Sequence, residues 1–194
     1  MKKILMTLAA VLCCAMTTTV FTACGSDDDD NTSNSSEILG IGGIYLISVD
    51  EKMAQLCDYT MTYYSKDNQL TTEKATWTIK DGKATWQKEA TCTVFPATFG
   101  VKINVKLKEG VQLAGIHIDN ANLIDPVVYL EGITTDGKKA WGKTVKLNTK
   151  DGRMESSDEK LPQLIELWES RGAMFNASLT FDKDGNQVGS GAIE

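Results

Sequence analysis

The chain has one histidine, His117, among 194 residues. No two-histidine metal centre can form, and no imidazole pair can share acid and base roles. Basic residues are also short: 20 Lys and Arg face 26 Asp and Glu, for a formal net charge of -6. Nucleic-acid binding draws on clustered cations that neutralise phosphates, so nucleic acid is not an expected partner. The serine-hydrolase signature Gly-x-Ser-x-Gly is absent, since Gly189-Ser190-Gly191 lacks its spacing. No phosphate-cradling glycine loop occurs. The stretch Asp182 to Asn186, DKDGN, places its glycine too early for a calcium loop. Neither a metal nor a cofactor is expected.

Cysteine is sparse and unevenly used, with five in all. Cys13 and Cys14 fall in an N-terminal leader. Lys2 and Lys3 form its positive start, Ile4 to Val20 its apolar run, and Phe21-Thr22-Ala23 its small-residue end. Cys24 follows directly. The stretch FTAC resembles the lipobox of bacterial lipoproteins, whose cysteine is lipidated and becomes the mature N-terminus. Gly25-Ser26-Asp27-Asp28-Asp29-Asp30 resembles the surface-export signal of Bacteroidota lipoproteins. This resemblance covers residues 1 to 30. It implies lipidation at Cys24, export through Ser26 and Asp27 to Asp30, and a place on the outer membrane facing outward. The membrane is then a partner through the lipid anchor.

The polar tract NTSNSSE, 31 to 37, has no apolar residue to bury and reads as tether. With the acidic run it reaches ~20 Å. Three segments follow: leader 1–23, lipidated cysteine and tether 24–37, and one folded domain 38–194. Within that domain only Cys57 and Cys92 remain. Outside the cytoplasm two such cysteines invite a disulfide; two buried free thiols are the alternative.

Asp-Gly recurs at 81–82, 136–137, 151–152 and 184–185, each between runs rich in β-branched and aromatic residues. Two-residue type I′ turns favour this dipeptide, so hairpins and antiparallel sheet are expected. The first hairpin pairs Lys80 with Lys83 and Ile79 with Ala84, and sets Trp77 opposite Trp86. The second sets Trp141 opposite Gly132. The last sets Phe181 opposite Val188. Phe99, Val101, Ile103, Val105 and Leu107 alternate with polar residues, which gives one buried and one wet face. Ser156 and Glu159 have the spacing of a capping box, and one helix is expected from about 160 to 171, ended by Gly172. Its buried face holds Leu161, Leu164, Ile165 and Trp168.

The expected fold is mainly β: an antiparallel β-sandwich, immunoglobulin-like, with one short helix. A lipocalin-like barrel is the alternative. Site candidates are few. Asp119, Asp125 and Glu131 hold carboxylates close in sequence, as a glycosidase pair would. Cys57 or Cys92 with His117 would make a thiol–imidazole pair, but both cysteines lie on inward rows, where thiols are inert. Trp141 and Tyr64 are the candidate exposed rings for a ligand. The expected function is a surface-displayed binding module for an extracellular ligand, with glycan the leading class, and not an enzyme. The alternative is a structural or protein-interaction subunit of an outer-membrane or adhesive assembly.

Overall fold

The computed structural model describes residues 37–113, 121–147, 154–156 and 160–194. Cys24, Ser26 and Asp27 to Asp30, where lipidation and an export signal are expected, lie outside them, as do His117, Asp119 and Asp151-Gly152. The elements run β1 (Ile38–Asp50), α1 (Glu51–Leu56), β2 (Cys57–Lys66), β3 (Gln69–Lys74), β4 (Thr78–Lys80), β5 (Lys83–Cys92) and β6 (Ala97–Leu107). Then come β7 (Ala121–Thr134), β8 (Lys139–Lys146), β9 (Met154–Ser156), α2 (Leu161–Arg171), β10 (Phe175–Phe181) and β11 (Gln187–Gly191).

The protein is mainly β. Its strands join in the order β11-β10-β6-β2-β5-β1-β7-β8, with β3 on β2, β4 on β5 and β9 on β7. The sheet curls into a half-barrel. Neighbours pair antiparallel, except for one parallel contact, Lys66 with Thr91, between β2 and β5.

Alternation in β1 turns Ile41, Tyr45, Ile47 and Val49 inward, each at most 2 % exposed. Gly43 shares that row. A Cβ there would lie 2.5 Å from Phe99 Cε1, so the glycine lets β6 pack directly on β1. Tyr45 crosses the same interior. Its hydroxyl donates to the Tyr64 carbonyl at 3.0 Å and accepts from the Gly100 amide at 3.0 Å. The β2–β6 register ends at Tyr63 with Val101, so Tyr64 and Gly100 would be the next pair. The hydroxyl stands where their ladder bond would be. Tyr63, Trp86 and Phe99 surround its ring at centroid distances of 5.6, 6.1 and 6.5 Å.

The Asp81-Gly82 turn forms as expected, with both residues at positive φ (52° and 75°). Lys80 pairs with Lys83 and Ile79 with Ala84. The ladder stops there at Thr78, one pair short of Trp77. The expected Trp77–Trp86 pair is therefore replaced. Trp77 sets its ring edge-on to Tyr59 at 5.1 Å, while Trp86 is fully buried against Tyr63 at 5.1 Å. Ile79, although paired with fully buried Ala84, is 50 % exposed.

The other two described Asp-Gly pairs are not type I′ turns. In each, only the glycine has positive φ, 79° at Gly137 and at Gly185. Thr134 N donates to Lys138 O and Asp182 N to Asn186 O, which closes three-residue loops. Such loops place a glycine at the left-handed position and shift the register by one. A bulge then restores it. Trp141 ends opposite Gly132 as expected. Phe181, expected opposite Val188, faces Gln187, and Val188 is 57 % exposed.

A further tight turn, Asp67-Asn68 (φ 46° and 61°), joins β2 to β3. Its side chains hold the β5–β6 connection. Asp67 Oδ1 accepts from Thr93 N at 2.8 Å, and Asn68 Oδ1 accepts from Thr98 N at 2.7 Å.

Two helices occur among the described residues, not one. Asp50 caps α1 by accepting from Lys52 N at 2.8 Å, and Met53 is buried beneath it. Helix α2 buries Leu161, Ile165 and Trp168, with Leu164 packed at the margin. Its N-cap is Lys160, without a side-chain cap bond, while Ser156 belongs to β9, so the expected capping box does not start it. Pro162 fits the first turn and Gly172 ends the helix at φ 70°. Glu169 accepts from Leu107 N at 3.0 Å, which ties α2 to the end of β6.

Candidate functional site

The edge strand β8 is tied by side chains to the turn between β10 and β11. No ladder joins β8 to β11 among the described residues. Trp141 lies against two glycines. A Cβ on Gly132 would sit 2.4 Å from its Nε1, and one on Gly185 would sit 2.8 Å from its Cζ2. The indole Nε1 donates to Lys183 O at 3.2 Å. Lys143, two residues along the same row, donates to Gly185 O. Its ammonium lies 4.6 Å from the Phe181 ring centroid and 5.7 Å from that of Trp141. Cations over ring faces are attracted by the ring quadrupole. Trp141 is therefore engaged within the fold and does not present an open platform. Tyr64 stays half-buried on β2, well apart from Trp141 in the sheet order. The structure does not bring the two candidate rings together.

Beyond this clasp the seam opens into a cleft of about 310 Å³. Leu147, Phe175 and Leu179 give it apolar walls. Ser178, Ser190 and Asn176 supply polar groups. The cleft forms because β10 outruns β11. The β10–β11 ladder ends at Ser178 with Gly191, whereas β10 pairs with β6 back to Phe175. Past the ladder, Asn176 holds the chain with its side chain. Its Nδ2 donates to Ile193 O at 2.8 Å and its Oδ1 accepts from Ile193 N at 2.7 Å.

Sequence reasoning missed this site, since it depends on where one strand stops beside another. The signal available was small residues, Ser178, Gly189, Ser190 and Gly191, on two strands expected to pair.

Other candidates separate. Cys57 and Cys92 are free and buried, so the alternative of two buried thiols holds and the possible disulfide does not form. Cys57 opens β2, while Cys92 lies by the far end of that strand, its thiol donating to Asn68 Oδ1 at 3.3 Å. A ten-residue strand spans about 30 Å, far beyond the ~7 Å Cα limit of a disulfide. Burial pushes the Cys57 thiol up to about 12 and raises that of Cys92 as well. Neither is poised as a nucleophile.

Asp125 and Glu131 both lie on β7. Six residues of strand put them about 20 Å apart, too far for a glycosidase pair. Glu131 lies 4.0 Å from Lys139, and Asp125 Oδ1 is buried without a partner. Asp182 spends its oxygens on the Asp184 amide, the Asn186 amide and the Asn186 side chain. No cluster of three metal-ligating side chains forms among the described residues. No family model, curated protein or solved structure matches the chain.

Proposed function

We propose that this protein is a lipid-tethered binding module, displayed outside the cell, whose ligand enters the cleft beside β10. The cleft carries the reading. At about 310 Å³ it falls at the lower end of the ~300–1,000 Å³ range of small-molecule sites. Its lining mixes apolar walls with serine hydroxyls and holds no Lys, Arg, His, Asp, Glu or Cys. Such a lining supports binding rather than bond-breaking chemistry. The lipobox and acidic export run support the tether and its outward placement on the outer membrane.

A two-layer sandwich, rather than a lipocalin-like barrel, is the finer fold reading. The single Lys66–Thr91 contact between β2 and β5 supports it, as does the direct packing of Phe99 on Gly43. The test of the whole reading is made in cells. Acyl labelling and surface accessibility to added protease are measured for the full chain, Cys24→Ala, and a variant with Asp27 to Asp30 replaced by Ala. Loss of label in the first variant and loss of surface exposure in the second are expected. An unlabelled wild-type chain with its leader attached would overturn the tether.

A second reading is an interaction subunit. Strand β11 is terminal and carries Val188 at 57 % exposure, so it offers an edge for pairing with another chain. Recovery of a stoichiometric protein partner from solubilised membranes would favour it over the first.

A further inference from the structure

We propose that the cleft binds an uncharged, hydroxyl-rich ligand, the neutral sugar ring of a glycan, with the Ser178 hydroxyl as a hydrogen-bonding contact. This rests on the binding reading above and names the ligand class of that same site.

Ser178 is 6 % exposed, and its hydroxyl makes no hydrogen bond among the described residues. That hydroxyl is not among the fully buried unpartnered atoms, which are Tyr59 OH and Asp125 Oδ1 among the described residues, so it is open to the cleft. Its neighbours in the cross-strand row are Gly100 on β6 and Gly191 on β11. Neither has a side chain to satisfy or cover the hydroxyl. A Cβ on Gly191 would meet Ser178 Oγ at 3.6 Å, so the glycine leaves the approach to that atom uncovered.

The backbone adds further contacts. Residues 175–177 of β10 pair with β6 along one edge only. Alternate residues of a strand aim their N–H and C=O groups at opposite edges. This stretch therefore presents unladdered groups on the cleft side. Sugar hydroxyls donate and accept, and they match such mixed groups, while half-buried Phe175 in the lining offers apolar surface to the C–H face of a ring. A carboxylated or sulfated ligand would find no cation in the lining, and an acyl chain would leave Ser178 without a partner.

The test uses the full chain in detergent on an array of neutral glycans, acidic glycans and linear peptides. The best neutral glycan is then titrated against Ser178→Ala and Gly191→Val. The valine sits over the Ser178 hydroxyl at ordinary contact distance, so folding is retained. Neutral glycans are captured, and affinity falls about tenfold in Gly191→Val and about fivefold in Ser178→Ala, the range for one lost hydrogen bond. If Gly191→Val fails to melt near the wild type, Ser178→Ala decides. Capture of acidic glycans alone, or affinity unmoved in both variants, overturns the proposal. Capture of peptides but no glycan overturns the ligand class and leaves the binding reading standing. Capture of nothing overturns both.

Discussion

Lys143, on the edge strand β8, donates to the carbonyl of Gly185, in the turn after β10 at the other end of the sheet order. With the Trp141–Lys183 bond it ties β8 to that turn. Trp141 fits only because Gly132 and Gly185 are bare.

Gly132→Ala drives a methyl into the indole and is expected to cost about 1–3 kcal/mol, the usual range for overpacking. Urea unfolding followed by tryptophan fluorescence checks it. Gly185→Ala is expected to cost at least as much, since φ is +79° there and alanine is strained in that region. A midpoint unchanged in both variants would show that the clasp is not closed in solution.

Two buried tyrosines should respond oppositely to loss of the hydroxyl. Tyr45→Phe leaves the Gly100 amide and Tyr64 carbonyl without their bridge, and is expected to destabilise by about 1–3 kcal/mol. Tyr59 is 3 % exposed and its hydroxyl is unpartnered. Tyr59→Phe is expected to be neutral or stabilising. Paired denaturant titrations decide, and equal losses in the two would contradict the assigned geometry.

Alkali should weaken the fold. The Cys57 thiol titrates from 9.0 in its reference state up to about 12 when folded, because burial disfavours the thiolate. The unfolded chain sheds that proton first, so stability is full below pH 9 and falls as pH rises toward 12. Burial raises Tyr45, Tyr59 and Tyr63 in the same direction. Cys57→Ser removes one titrating group and is expected to flatten the slope of stability against pH in that window. Native protein should also resist alkylation at Cys57 and Cys92 and show no change of mobility on reduction.

Acid should loosen the β2–β3 turn from the β5–β6 connection. The Thr93 backbone amide, more than any other group, holds the Asp67 carboxyl below its ordinary value. A carboxylate so depressed contributes stability that is present above about pH 4 and lost as pH falls through its folded value. Asp67→Ala is expected to raise the acid-unfolding midpoint. Asp67→Asn, which keeps an acceptor and tolerates positive φ, should raise it less. Acid titration followed by circular dichroism checks the order.

Local pattern carried much of the fold. The alternation in β6, the Lys80–Lys83 register, the placing of Trp141 over Gly132, and the end of α2 at Gly172 all follow from residues near one another in the chain. Loop length did not follow. Asp-Gly serves a two-residue turn at 81–82 and three-residue loops at 136–137 and 184–185, and only Thr134 and Asp182 bonding across the loop decides between them. Partners distant in sequence were hidden as well. Trp77 leaves its hairpin for Tyr59, and Asn68 reaches Thr98. The cleft was least visible, because an early strand end has no composition of its own.

Strand β1 comes first in the folded chain yet lies between β5 and β7. Its hydrogen-bonding edges are matched by Lys83–Cys92 and by residues up to Thr134. As the polypeptide emerges from the ribosome, one edge of β1 waits for residues 83–92 and the other for residues up to Thr134. Contacts this distant are slow to form and leave unpaired strands open to aggregation. This strand, interior in the sheet order, is thus completed only after Thr134 has been made.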